Sequence, residues 1–227
     1  MSRPLAVVKC GGTVAAQALA DVVALVDELA RDGGVVVVHG AGPQISREME
    51  RRGLTVQFVE GRRVTDAAAL EVVRESLSAV NAACCAALGP RAVGLAGDEI
   101  GLAAVQVPRL GLVGEPSPCR PRTIVDALAA GRVPVVAPLA AGPLNVNADE
   151  AAAALAIGLE AERIVFVTDV PGVLVGGTVR ELLPAVETEG LVASGELEGG
   201  IVPKVRAAAR AALAGLDVRV GATAVTP

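Results

Sequence analysis

Four glycine-bearing segments, each following or bordering an apolar run, hold the residues whose types could do chemistry. They read Val8-Lys9-Cys10-Gly11-Gly12, His39-Gly40-Ala41-Gly42-Pro43, Asn145-Val146-Asn147-Ala148-Asp149 (behind Gly142) and Gly199-Gly200-Ile201-Val202-Pro203-Lys204. Glycine lets a backbone approach a ligand closely, and free N–H groups at a helix start attract anions. Lysines stand beside the first and last segments, and an aspartate closes the third. The combination suits a polyanion, with a carboxylate to hold the lysine ammonium groups in place.

Each residue also has a plainer reading. A lysine ending an apolar strand, as Lys9 does, is hard to justify as packing. Gly40-Ala41-Gly42 is either a tight turn or a binding loop: it lacks the third glycine of the dinucleotide fingerprint, and no G-x-x-x-x-G-K-[ST] occurs. Asn145, Asn147 and Asp149 precede an Ala-rich helix, where capping needs one such residue, not three. Arg63, in Gly61-Arg62-Arg63-Val64-Thr65-Asp66, is either a solvated charge or a guanidinium clamp for a carboxylate. His39 reads as a hydrogen-bonded structural residue before it reads as a catalyst. Cys10 is either a buried inert thiol or one whose pKa the neighbouring Lys9 lowers. Cys84 and Cys85 read as small core residues, and with no C-x-x-C and a single histidine there is no zinc spacing.

The elements that must position these residues alternate along the chain. Leu5–Lys9, Val35–His39, Arg91–Leu95, Val133–Pro138 and Arg163–Thr168 are continuously apolar, as parallel strands covered on both faces are; Leu110–Val113 and Val218–Val220 are weaker candidates. Ala16–Arg31 carries apolar residues at helical spacing and stops at Gly33-Gly34. Ala67–Leu88 reads as a long helix capped by Asp66, Asp149–Leu159 as another, and Pro43 and Pro203 fit first-turn helix positions. The order predicts an α/β fold, a three-layer αβα sandwich around a mainly parallel sheet, with ligands at the carboxyl ends of the strands. Gly97–Pro121 is expected to form loops and short hairpins over one end of that sheet, and Gly176–Glu198 reads as irregular. No linker marks a domain boundary within the 227 residues.

Composition narrows the partners. The chain is 52% hydrophobic but only 1% aromatic, so its core must be Val, Leu, Ile and Ala, and it offers no stacking platform for nucleic-acid bases. A formal net charge of −5 gives no electrostatic footprint for nucleic acid. No apolar run reaches the length of a membrane span and the first residues read straight into a strand, so the expectation is a cytoplasmic protein.

Taken in order, the segments VVKCGG, VVVVHGAGPQI, GRRVTD, LGLVGEP, PVVAPL, LNVNADEAA, VFVTDVPGVL and GGIVPKV resemble the amino-acid kinase family, and within it the acetylglutamate kinases. The likeness runs from Val7 to Leu213. It implies one amino-acid kinase domain over 1–227, with an acyl-acceptor lobe near 1–140 and an ATP lobe near 141–227. The implied reaction is ATP-dependent phosphorylation of the side-chain carboxylate of N-acetyl-L-glutamate, a step of arginine biosynthesis, with Mg²⁺ carried by ATP and no metal ligand from the protein. Lys9 and Lys204 match the lysines that stabilise the transferring phosphoryl group, and Asp149 the aspartate that orients both. Ala41 and Gly42 match the amides that hold the acceptor, with Arg63 and Asn145 on its α-carboxylate side. Gly11 and Gly12 would approach the phosphates. Asp169, Val170, Pro171, Gly172, Val173 and Leu174 match the nucleotide-binding strand end, and residues near Leu197 would close over the nucleotide.

The chemistry agrees with that set. A carboxylic acid of pKa about 4.3 is already ionised at neutral pH, so its attack needs no general base. The reaction needs relief of repulsion between two anions and stabilisation of charge on the transferred group, which lysines, glycine-loop amides and Mg²⁺ supply. The chain also departs from the family. Gly40-Ala41-Gly42 stands where three glycines are usual, so Ala41 can offer its N–H only at negative φ. The β-hairpin over the acceptor is abbreviated around Gln106–Arg109, and a strand, helix and strand are compressed into Leu216–Pro227. Without the extra N-terminal helix that accompanies hexamers and arginine inhibition in the family, a homodimer without arginine feedback is expected. Two alternatives share the fold: a kinase for glutamate or aminoadipate held on a carrier protein, and a non-catalytic ligand sensor. The absence of Asn-Thr-Asp-Gly-Asp and Met-Lys-Arg-Lys segments weighs against the first, and the retained Lys9, Asp149 and Lys204 against the second.

Overall fold

A computed structural model of the chain describes residues 4–12 and 19–227. The first half runs β1 (Leu5–Cys10), α1 (Leu19–Asp32), β2 (Gly34–His39), α2 (Gly42–Arg51), β3 (Phe58–Val59), β4 (Arg62–Arg63), α3 (Ala67–Leu88), β5 (Ala92–Ala96), β6 (Ala104–Gln106) and β7 (Val113–Pro116). It continues with α4 (Arg122–Ala129), β8 (Val133–Ala137), β9 (Leu139–Ala140), β10 (Leu144–Val146), α5 (Ala148–Gly158) and β11 (Arg163–Val167). The last part holds β12 (Leu174–Val175), β13 (Thr178–Val179), β14 (Leu182–Pro184), α6 (Thr188–Ala193), α7 (Ile201–Leu213), β15 (Asp217–Val220) and β16 (Thr223–Thr226).

Eight strands form the central sheet in the order β14-β16-β15-β11-β1-β2-β8-β5. From β15 to β5 every neighbouring pair is parallel. β16 turns back antiparallel on β15, and β14 runs with β16. The side chains of β1, β2 and β8 alternate between two cores. Val8, Val35, Val37 and Val135 pack under α1, α2 and α3, while Val7, Val36, Val38 and Val136 pack under α4, α5 and α7. Burial on both faces is why these strands read as unbroken valine runs. The expected three-layer αβα sandwich and its mainly parallel sheet are therefore present.

The longest helix matches its expected span, Ala67–Leu88, with the Asp66 carboxylate accepting from Ala69 N at 2.8 Å. The start of the expected Ala16–Arg31 helix lies outside the described residues, and the helix runs on to Asp32. α5 begins one residue earlier than expected, because Asn147, not a later residue, is its cap. The weak strand candidate Leu110–Val113 is corrected: Pro108 starts a 3₁₀ turn that ends at Leu110, and the strand begins at Val113. Gly97–Pro121 supplies the β6–β7 hairpin of a second, four-stranded sheet, β6-β7-β10-β9. Gly176–Glu198 is more regular than its composition implied, holding β14 and α6. Leu216–Pro227 contains a plain β15–β16 hairpin with no helix between the strands.

Candidate active site

β1, β2 and β11 are parallel and so end on the same side of the sheet, where the β1 exit lies against the start of α2 and the β2 exit against the start of α5. Lys9, next to last in β1, is 5% exposed although its neighbours are apolar. It turns inward because Asp149 waits for it: Lys9 Nζ lies 2.8 Å from Asp149 Oδ1. Lys204 Nζ, in the first turns of α7, lies 2.8 Å from the same oxygen. Asp149 and Lys204 are 7% and 9% exposed. Burial pushes up the Asp149 carboxyl pKa, but the Lys9 and Lys204 charges outweigh it and hold the group below its ordinary value. Burial, followed by the Lys9 charge, lowers Lys204 to about 8 against the opposing pull of Asp149. The Lys204 ammonium also sits 5.7 Å from the Phe166 ring centroid. Two ammonium groups share one carboxylate, so the site carries an unbalanced positive charge in a place with little water. That is a site built for an anion.

The loops beside it form an open cleft of about 220 Å³, lined by Lys9, Gly11, Gly12, Gly40, Ala41, Gly42, Arg63, Asn145, Asn147 and Asp149 among others. Gly12 lies against the second loop so closely that a Cβ there would stand 2.9 Å from Ala41 Cα and 3.0 Å from Gly42 N. Gln44 Nε2 donates to Gly12 O at 2.9 Å, and Gly40 N to Cys10 O at 2.8 Å, which ties the two loops together. Ala41 has φ −140°, outside the left-handed region that would call for glycine. Space is open beyond Gly42, where a Cβ would meet nothing within 4 Å.

Arg63 is 5% exposed, which excludes the solvated-charge reading. Its guanidinium donates to Ser46 Oγ at 2.8 Å and Gly42 O at 3.1 Å, and lies 4.5 Å from the Phe58 ring centroid. Among the described residues no carboxylate pairs with it, and burial lowers its pKa. Asn145 Nδ2 donates to Thr65 Oγ1 at 3.0 Å, which in turn donates to Arg63 O at 2.7 Å. The β4 strand and β10 are thus braced against each other.

The residues after β11 divide. Asp169, Val170, Pro171 and Leu174 are exposed, whereas Gly172 and Val173 are buried. Val173 N donates to the Thr223 hydroxyl at 2.8 Å, and Gly172 lies so near that a Cβ would be 2.8 Å from that oxygen. Leu197 is 2% exposed and packed in the core beside Leu191, so its side chain faces the protein interior. His39 is fully buried; Asn81 lies 3.0 Å from its Nε2, and burial lowers its pKa to about 4. It is a neutral structural residue. Cys10 is buried against Cys84, whose thiol lowers the Cys10 pKa more than Lys9 does; the same contact and burial push Cys84 up.

The site also rests on supports from neighbouring residues. Asn147 Oδ1 accepts from Asp149 N at 2.8 Å and Glu150 N at 3.2 Å, fixing the turn that aims Asp149. Gly61, at φ +76°, lies against α7, where a Cβ would stand 2.1 Å from Pro203 Cγ. Arg62 pairs with Glu150 and Glu115. The Asn147 cap was readable from the sequence as a favoured cap type before a helix; the others depend on segments that only folding brings together.

The sequence matches the model of the amino acid kinase family over residues 4–222. This chain belongs to that family. It is 43% identical to the acetylglutamate kinase of Roseiflexus sp. (strain RS-1) over 99% of this chain and 89% of that protein. It is 42% identical to the acetylglutamate kinase of Rubrobacter xylanophilus over 94% of this chain and 87% of that one. The crystal structure of smu.665 from Streptococcus mutans UA159 superposes with a TM-score of 0.91 at 28% identity, covering 98% of each chain. Within the family's fold, the glycine loops and lysines of this chain occupy the carboxyl ends of the parallel strands, where α/β proteins bind ligands.

Proposed function

We propose that this amino acid kinase transfers the γ-phosphoryl group of ATP to the side-chain carboxylate of N-acetyl-L-glutamate, as a step of arginine biosynthesis. The observation that carries the reading is the pair of buried ammonium groups on one oxygen of Asp149, opening onto a cleft with a guanidinium that no carboxylate pairs among the described residues. Full-length likeness to acetylglutamate kinases supports the same substrate. In this reading Lys9 and Lys204 neutralise the phosphoryl oxygens as charge moves from donor to acceptor, and Asp149 holds both without taking a proton. Arg63 and Asn145 take the α-carboxylate side of the acceptor, and the amides of Ala41 and Gly42 hold the attacking carboxylate. Gly11 and Gly12 let the first loop approach the phosphates. Asp169, Val170, Pro171, Gly172, Val173 and Leu174 form the nucleotide end, the exposed ones by contact and Gly172 and Val173 by shaping the loop. The segment around Leu197 closes over the nucleotide through its backbone and exposed neighbours. Mg²⁺ arrives on the ATP phosphates.

The acceptor lobe is then roughly 1–140 and the ATP lobe 141–227, and the protein works in the cytoplasm as a homodimer. An ADP-release assay with N-acetylglutamate, glutamate and aspartate as acceptors tests the function. Turnover with N-acetylglutamate at least about a hundredfold above the others is expected, since a site built around an acetamide leaves polar groups unpaired without it. ADP release that ignores the acceptor would overturn the reading.

A further inference from the structure

The β3–β4 hairpin carries Arg63 but has almost no core of its own: each strand is two residues long, and Phe58 at its start is 53% exposed. It is held from outside. Gly61 rests on Pro203 of α7, and Asn147 Nδ2 donates to Gly61 O at 3.3 Å. Arg62 makes the third hold, its Nε lying 3.0 and 3.2 Å from the two carboxylate oxygens of Glu150 on α5. Its other end reaches Glu115 on β7 at 3.2 Å. The Arg62 and Glu150 side chains are 14% and 15% exposed, and the phosphoryl-transfer reading gives work to neither.

We propose that Glu150 is a positioning residue, whose carboxylate, through Arg62, fixes the acceptor hairpin on the helix that carries Asp149 and so keeps Arg63 in register with the two lysines. The proposal rests on the acceptor role given to Arg63 above. The α5 cap Asn147 also bonds the hairpin at Gly61 O, but the Arg62–Glu150 pair is the one charged link between helix and hairpin among the described residues. Arg62 also reaches β7 of the small four-stranded sheet.

A half-buried pair of this kind positions more than it stabilises, because desolvation offsets the attraction. Burial is the largest influence on Glu150 and raises its pKa; Arg62 opposes that, Glu115 adds to it, and Arg210 opposes it weakly. Arg210 also donates to the Glu150 backbone O at 3.0 Å. The remaining charges facing α5 here are Lys9 and Lys204, both engaged by Asp149. The sign follows. The folded protein binds the Glu150 proton more readily than the unfolded chain does, so lowering the pH through that range does not cost stability through this group. It does discharge the carboxylate and release Arg62. Acceptor binding then weakens on the acid side while the fold holds.

Glu150→Gln, Arg62→Met and the double variant test this through three readouts: KM for acceptor and for ATP, kcat/KM against pH, and hydrogen exchange of residues 58–63. Glu150→Gln should raise the acceptor KM on the order of tenfold, the scale of a small misplacement of a binding group. The ATP KM should move less than about twofold, and the double variant should be no worse than the worse single one. The acidic limb of kcat/KM for the acceptor should move to lower pH, where the acceptor's own carboxylate becomes protonated, and the hairpin amides should exchange faster. Equal rises in both KM values, additive effects of the two changes, an unchanged acidic limb, or wild-type exchange in Glu150→Gln would each overturn the proposal. A wild-type protein that does not phosphorylate N-acetylglutamate overturns the proposed function instead, and hydrogen exchange then decides the tether alone.

Discussion

At the scale of single residues the site is a contest between burial and charge. Asp149 keeps its charge because two ammonium groups overcome its desolvation, and Lys204 pays part of that cost as a pKa lowered to about 8. In the free enzyme Lys204 therefore loses its proton as the pH rises past about 8, and kcat/KM for ATP should fall on that alkaline side. Asp149→Asn removes the group that raises the Lys204 pKa, so the alkaline limb should move to lower pH. No acidic limb should vanish with it, since the acceptor carboxylate needs no base. An acidic limb lost only in Asp149→Asn would mean that Asp149 accepts a proton. Lys9→Ala and Lys204→Ala should each lower kcat by about 10²–10³, the usual cost of removing a transition-state charge contact. Loss of ATP affinity alone, with kcat intact, would remove that lysine from the transfer step. Arg63 makes a different demand. Its fork is held by Ser46 and Gly42, so Arg63→Lys should raise the acceptor KM nearly as far as Arg63→Ala, because a point charge cannot replace a planar pair of donors. Recovery by lysine would show that only charge matters there.

At the scale of elements, short capping contacts aim the reactive groups. Asn147 closes the first turn of α5 through two backbone amides, those of Asp149 and Glu150. Asn147→Ala should cost about 1 kcal/mol of stability, the usual loss for such a cap. Because the same turn aims Asp149, kcat should fall further than that stability change alone would bring about. Thermal unfolding and steady-state kinetics on one preparation check both, and an unfolding shift with kcat unchanged would leave Asn147 a cap only. The contact of the first two loops works similarly, since only a glycine at position 12 lets β1's exit lie against Ala41 and Gly42.

At the scale of the whole molecule, the central sheet ends at β14 on one side and at β5 on the other. Among the described residues β5 pairs only with β8, so part of its outer backbone edge is open, although Arg132 Nη2 already donates to Ala92 O at 2.8 Å. Such an edge invites pairing with another chain. A homodimer should appear by light scattering as twice the 22.6 kDa chain mass. A monomer at micromolar concentration would remove that proposal without touching the site.

The amino-acid sequence by itself determined the parts whose signals are local. Valine runs reveal β1, β2 and β8 because both faces of a central parallel strand are buried, and Asp66 with Gly89 brackets α3 within one stretch of chain. The residue types of the site were equally legible, since a lysine ending an apolar strand has no packing reason to be there. Tertiary structure alone decided how those residues meet. Lys9, Asp149 and Lys204 come from widely separated segments, and nothing in their spacing says that two ammonium groups will share a single carboxylate oxygen. Arg62 and Glu150 are 88 residues apart and look like ordinary surface charges until the hairpin lands on α5. The three residues of β14 become a strand only because β16 offers a partner. Periodicity and capping act within a few turns of chain, whereas a pKa, an ion pair or a short strand is set by neighbours that arrive from anywhere in the sequence.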